Sequence, residues 1–347
     1  MSIRFWLTIT TLVLLALVVF FGWDQITQAF SLLGHVNLWI LALLVPMQFV
    51  SYYAIGEMVF SYLRAKGDLG HMSRLTMTRI TLESNFVNHI ALLPIAGGSS
   101  YLGWILSRHG VSVSRSTMAQ IIRHLMSFLA FILLLAASIM LMSFDFKISK
   151  IIIITTSIFV AFFISLVIFL VYIISNKKRL MKFSNWVTIF INKIVKIFTI
   201  GKKKQILAFK KTDIFFVELH NDYLEILDDK KVLLAPFLWS ILSMVLDVML
   251  ILITFWALGF SVNPAALFIA FGLSSIGGIF AATPGGSGVY EGIMIAFLVS
   301  TGVPADVAIA GTLLSRAILL IITVGFGYLF YQLTINKYGK ISKSANI

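Results

Sequence analysis

The chain reads as an all-α polytopic membrane protein with six spanning helices plus two re-entrant helical hairpins arranged as inverted-topology repeats. Three observations predict this. Apolar residues make up 59% of the chain and charged residues 12%, and the apolar runs repeatedly reach the roughly 20 residues that cross a hydrocarbon core. The stretch Pro284-Gly285-Gly286-Ser287-Gly288-Val289-Tyr290-Glu291-Gly292 divides one apolar run, Ala265 to Thr283, from another, Ile293 to Thr301, that is too short to span. Its glycines, proline and carboxylate would expose unpaired backbone at membrane depth, which is tolerated only beside protein or a water-filled cavity. Finally, prolines and acids recur at one fixed offset.

The first span follows Arg4 and runs to Gly22, with its outer loop completing residues 1–35. The Phe20-Phe21-Gly22-Trp23 end offers no small-residue cleavage site, so it does not read as a signal peptide. Residues 36–142 form the first repeat. A span from Val36 to Leu63 carries Pro46 and Glu57, and Arg64, Lys66, Arg74 and Arg79 follow it. The apolar stretch Ile80 to Leu93 then ends in Pro94-Ile95-Ala96-Gly97-Gly98-Ser99-Ser100-Tyr101-Leu102-Gly103. Basic residues flank this dip on both sides, which places its two ends on one face of the membrane. The span Met118 to Met142 contains Arg123 and His124.

Residues 143–231 hold a fourth span, Ile151 to Ile174, and a basic linker with 13 of the 27 Lys and Arg. Within that linker Phe215, Leu219, Tyr223 and Leu227 recur at helical spacing, which predicts helices in the headgroup plane. The second repeat, 232–335, opens with a span from Val232 to Leu258 carrying Pro236 and Asp247. It continues through the 284–292 interruption to a span from Val307 to Gln332, and a basic tail, 336–347, closes the chain.

Lys and Arg cluster in the 64–79, 108–115, 175–231 and tail segments. The positive-inside rule then predicts a cytoplasmic (inner) membrane protein with both termini cytoplasmic. The formal charge of +13 is spent beside spans, where it sets topology and meets anionic headgroups, so nucleic acid is not the expected partner. Zero cysteines exclude disulfides, thiolate nucleophiles and Cys-bound metals.

Pro46, Glu57 and Pro94 are matched by Pro236, Asp247 and Pro284 at a uniform offset of 190, although only 6 prolines and 14 acids are present. Gly110 and Arg123 match Gly302 and Arg316 with a drift of two to three residues. The repeated unit is therefore span, dip, span, and the single span between the copies, Ile151 to Ile174, turns the second upside down. Inverted repeats with broken helices place substrate at the repeat interface in secondary transporters.

Ionisable groups inside spans point to function or to buried pairing. One reading pairs Glu57 with Arg123 and Asp247 with Arg316 as structural ion pairs; the other has the two arginines meet a lipid phosphate in turn, a group that guanidinium forks fit. Glu291, beside Tyr290, is the acid best placed to take a cationic headgroup or a coupling proton. Alternatively it caps free amides of the broken helix. The amides of Gly285, Gly286 and Gly288 could cradle phosphate oxygens as a backbone nest. In the first dip, Asn85, Asn88 and His89, together with Pro94, Gly97 and Gly98, are cavity candidates, and each polar residue there has a helix-packing alternative. No Walker sequence, HExxH or DxD site occurs. No catalytic residue, metal or cofactor is expected, and a membrane enzyme on lipid-linked substrates or a channel or scaffold remains the alternative to a carrier.

The 284–292 motif, the Asn88 to Gly103 dip and the Arg316 span resemble the flippase-like membrane domain of lysylphosphatidylglycerol synthases, which has many stand-alone members. The resemblance covers almost the whole chain. It implies movement of a lipid between leaflets, the lipid being an anionic or aminoacylated phospholipid or a polyprenyl phosphate. The first dip lacks the charged residues some relatives carry. With 347 residues there is no room for the synthase domain, so a separate lipid-synthesising enzyme and a homo-oligomer are the partners the resemblance suggests.

Overall fold

Helices account for all the regular structure among the described residues, 36–90, 94–145, 160–161, 164–165, 167–198, 208–280 and 288–338 of the computed structural model. The first predicted span, part of the fourth, Pro284, Gly285, Gly286 and the end of the tail lie outside them.

Asn37 opens the fold by capping a short helix, α1 (Leu38–Ala42), its side chain accepting from the Trp39 and Ile40 amides at 3.1 and 3.3 Å. α2 (Leu44–Ala65) follows directly, with Pro46 in its first turn, where a missing amide costs nothing. Two shorter helices come next, α3 (Arg74–Ile90) and α4 (Pro94–Arg108), then a long one, α5 (Val113–Asp145). The linker contributes α6 (Lys177–Phe198) and α7 (Phe209–Asp228). After a 3₁₀ turn, Lys230–Leu233, come α8 (Leu234–Ala257), α9 (Pro264–Phe280), α10 (Val289–Ser300) and α11 (Ala305–Tyr338).

Among the described residues four stretches are long and apolar enough to cross a membrane: Leu38–Ala65, Val113–Met142, Lys230–Ala257 and Ala305–Tyr338. By contrast α3 and α4, with 17 and 15 residues, and α9 and α10, with 17 and 12, rise only about 18–26 Å, short of a roughly 30 Å core. Both predicted dips are thus pairs of short helices.

The order long, short, short, long occurs twice, and the same local chemistry punctuates both copies. Ser73 caps α3 through the Thr76 amide at 3.3 Å, and Asn263 caps α9 through Ala265 at 2.8 Å, 190 residues on. Pro236 occupies the third position of α8 as Pro46 does in α2. Gly67, Gly110, Gly259 and Gly302 all have φ between 76° and 94°, and both pairs are 192 apart. Each follows a helix and ends it in a Schellman motif. The amides after these glycines reach back to Leu63, Leu106, Phe255 and Leu298 at 2.9, 3.2, 3.0 and 3.1 Å.

Packing joins the halves reciprocally. α2 lies along α8, α3 packs on α11 and α9 packs on α5. Close approach is secured by glycine: a methyl at Gly327 of α11 would strike Phe86 of α3, and one at Gly272 of α9 would strike Phe131 of α5. One apolar core gathers Phe60, Tyr62, Phe86 and Leu106 around the first half, and another gathers Phe255, Leu267, Ile269 and Leu298 around the second.

Three expectations need correction. α5 starts five residues before the predicted Met118, because Ser112 caps it through the Arg115 amide at 3.2 Å and the polar first turn is helical nonetheless. α11 extends past Gln332 to Tyr338. The apolar face of α7 is covered by protein, with Phe216, Leu219 and Ile226 buried and Leu227 exposed. α6 buries Leu180, Ser184 and Thr188 on one face and leaves Trp186, Ile189 and Phe190 exposed on another, next to Lys182 and Lys193.

Candidate functional site

α10 begins where the glycine-rich interruption ends. Gly288, at φ 88° and ψ −49°, is a conformation that only glycine adopts without strain. Its amide donates to Glu291 Oε2 at 2.6 Å, so Glu291 folds back to cap its own helix. The other carboxylate oxygen, Oε1, faces Arg316 Nε of α11 at 3.4 Å. The same guanidinium stands over the Tyr290 ring, 4.3 Å from its centroid, within cation–π range. Glu291 is buried and Arg316 partly so.

Arg316 is also felt electrostatically by His89, near the end of α3, and Tyr290 by Asp247 of α8. Two side chains at the start of α10 thus converge on one guanidinium of α11. Asp247 accepts from Ser51 Oγ of α2 at 2.9 Å, and the neighbouring Tyr52 hydroxyl meets Thr323 of α11 at 2.5 Å. Here two carboxylates, a cation and two aromatic hydroxyls share a region bounded by α2, α8, α10 and α11. A guanidinium there can exchange its carboxylate for a phosphate, while the freed carboxylate takes a cation or a proton.

Of the residues singled out in sequence, Glu291, Tyr290, Arg316 and Gly288 meet, with Asp247 in electrostatic reach. Among the described residues, the ion pairs that one reading took from repeat symmetry give way to others. Glu57 pairs with Arg64, seven residues further along α2, and Arg316 with Glu291 rather than Asp247. In both cases a nearer partner wins: two turns up one helix in the first, the adjoining helix tip in the second. Arg123 meets only the ring of His124, at 3.4 Å, among the described residues. Glu291 caps the helix, as the second of its two readings expects, and its other oxygen faces Arg316.

In the first short pair Asn88 is committed to packing. Its Oδ1 accepts from the Gly98 amide at 2.7 Å, and Ser84 donates to the Gly98 carbonyl at 2.8 Å. Any side chain at Gly98 would collide with Asn88. Gly97 is half-buried beside it, and Pro94 supplies the first residue of α4.

Sequence reasoning missed the buried Glu83. It is held by Tyr101 at 2.5 Å, Thr334 at 2.8 Å and Arg79 at 3.0 Å, which binds the first short pair to α11. The i, i+4 spacing of Arg79 and Glu83 was the available signal.

An all-helical fold with four membrane-length helices among the described residues, and a carboxylate–guanidinium–tyrosine cluster where α10 meets α11, defines an integral membrane protein. The chain belongs to the family described as the lysylphosphatidylglycerol synthase TM region, which matches residues 6–327. Comparison with curated proteins gives no match. The family places the protein among integral membrane proteins with a lipid-related role.

Proposed function

We propose that the protein is a transporter, not an enzyme, and moves a phosphate-bearing lipid between leaflets by alternating access. The substrate class is an anionic or aminoacylated phospholipid, or a polyprenyl phosphate. The observation that carries this reading is the position of Arg316, gripped by Glu291 and Tyr290 at the start of α10. In this scheme a lipid phosphate displaces Glu291 from Arg316. Glu291 then accepts the cationic headgroup or a proton, so the site stays near neutrality as it turns over.

Support for alternating access comes from the doubled element order, the matched caps and the reciprocal packing of α3 on α11 and α9 on α5. Two copies oriented oppositely in the cytoplasmic membrane, with both termini inside, would open the same site to each leaflet in turn.

The test uses protein in vesicles with fluorescent lipids whose outer-leaflet label is quenched by dithionite. Accelerated quenching is expected for at least one of anionic, aminoacylated and polyprenyl-phosphate lipids. Arg316→Ala should abolish it and Arg316→Lys should retain part, because lysine keeps the charge but loses the fork. Rates equal to empty vesicles for all three lipids would end the proposal.

A further inference from the structure

Arg123 occupies in the first half the place that Arg316 occupies in the second, on the last long helix and facing its own half's short pair. Their electrostatics differ. Glu57 has Arg64, Asp247 has Ser51 and Arg316 has Glu291, yet Arg123 meets no carboxylate among the described residues and makes one long contact, to His124 Nε2 at 3.4 Å. A guanidinium carries five N–H donors, and leaving such a cation unbalanced within a membrane costs several kcal/mol. Arg123 lines a narrow cleft with Gly56, Thr81, Ser84 and Asn85, whose enclosed part, about 10 Å³, admits one water-sized group such as a single phosphate oxygen. Gly56 keeps it open, since a side chain there would meet the Thr81 hydroxyl.

The donors in this cleft are mostly spent. Thr81 donates to the Met77 carbonyl at 3.0 Å, Ser84 to Gly98 at 2.8 Å and Asn85 to the Thr81 carbonyl at 2.9 Å. That leaves the Arg123 fork and the second Asn85 amide hydrogen. We infer that Arg123 and Asn85 form a second, standing oxyanion site for one singly charged phosphodiester, the headgroup linkage of a phospholipid. One guanidinium balances one negative charge; a phosphomonoester dianion would leave a charge uncompensated beside apolar Val59, Phe60 and Leu102. The inference rests on the reading of the protein as a carrier of phosphate-bearing lipids and narrows it. The first half holds an open site, whereas in the second half phosphate must compete with Glu291.

Lipid retention measured without transport separates this from the carrier reading. Full-length protein, purified in detergent, is titrated with phosphatidylglycerol, phosphatidic acid or diacylglycerol and retained lipid is read by native mass spectrometry. Phosphatidylglycerol should be retained in preference to phosphatidic acid and diacylglycerol. Arg123→Gln should weaken its retention roughly tenfold or more, the scale of a lost charge-assisted hydrogen-bonded pair, and Arg316→Gln should leave a retained fraction. Asn85→Ala, which removes no charge, should weaken it by a smaller factor and keeps the test decisive if Arg123→Gln does not fold. Unchanged retention in both Arg123→Gln and Asn85→Ala would overturn the inference. So would protection from thermal unfolding by inorganic phosphate with no phosphatidylglycerol retained, since the ligand would then be a soluble anion.

Discussion

Glu291 has two jobs on two oxygens, and the conservative variant separates them. In Glu291→Gln the side-chain carbonyl can still accept from the Gly288 amide, so thermal stability should stay near wild type while lipid movement drops sharply for want of the charge facing Arg316. Glu291→Ala should lose both. At Gly288 itself the backbone decides: at φ 88° a Cβ costs about 1 kcal/mol, so Gly288→Ala should lower the melting temperature even with open space around it. Sequence spacing identified Glu291, Tyr290 and Arg316 because a carboxylate in a glycine-rich break and an arginine in an apolar run are rare. The pairing among them was not legible. Repeat symmetry matched Asp247 to Arg316 and Glu57 to Arg123, whereas side chains answer to distance, and Arg64 on the same helix was closer to Glu57 than its symmetry mate.

Among the elements, α7 is clasped to the first half by charge. Arg115, at the start of α5, reaches Asp222 at 3.0 Å, Glu225 at 3.3 Å and Asp68 at 3.9 Å, and Lys66 reaches Glu225 at 3.1 Å. Arg115→Gln strands the buried Asp222, so amide exchange across Phe209–Asp228 should rise while α2 and α8 stay protected. The end of α4 is a pH-sensitive joint. His109 meets Tyr338 of α11 edge to face with centroids 5.7 Å apart, and burial, followed by His71, Lys337 and Arg79, disfavours its charged form. A histidine whose folded pKa is lowered contributes stability that is present above its ordinary range and lost as pH falls through it. Thermal unfolding should therefore become easier on acidification below about 6.5, and His109→Asn should flatten that slope. Apolar periodicity and glycines fixed the order of helices to within a few residues. It did not show which face of α6 or of α7 is covered, because both are amphipathic and only tertiary contact buries Leu180 and Ser184 of one and Phe216 and Leu219 of the other.

For the whole molecule, α11 is the common support. Near one end Thr334 joins the Glu83 network of the first short pair, and about 27 Å away along the helix Arg316 holds the start of α10. The doubled order was readable from scarce residues, prolines and acids at an offset of 190, and the caps at Ser73 and Asn263 fall on that same offset. What a linear repeat does not carry is which half packs on which, and the exchange of α3 onto α11 and α9 onto α5 appears only in three dimensions. The central claim is that each short pair enters and leaves on one face and that the two pairs do so from opposite faces. The chain has no cysteine of its own, so single exposed cysteines can be placed at His71 and Arg108, and at Ser261 and Ser300, and challenged with an impermeant maleimide on sealed oriented vesicles. The account predicts that His71→Cys and Arg108→Cys react from one side and Ser261→Cys and Ser300→Cys from the other; all four reacting from the same side, or either pair splitting across the membrane, would contradict it.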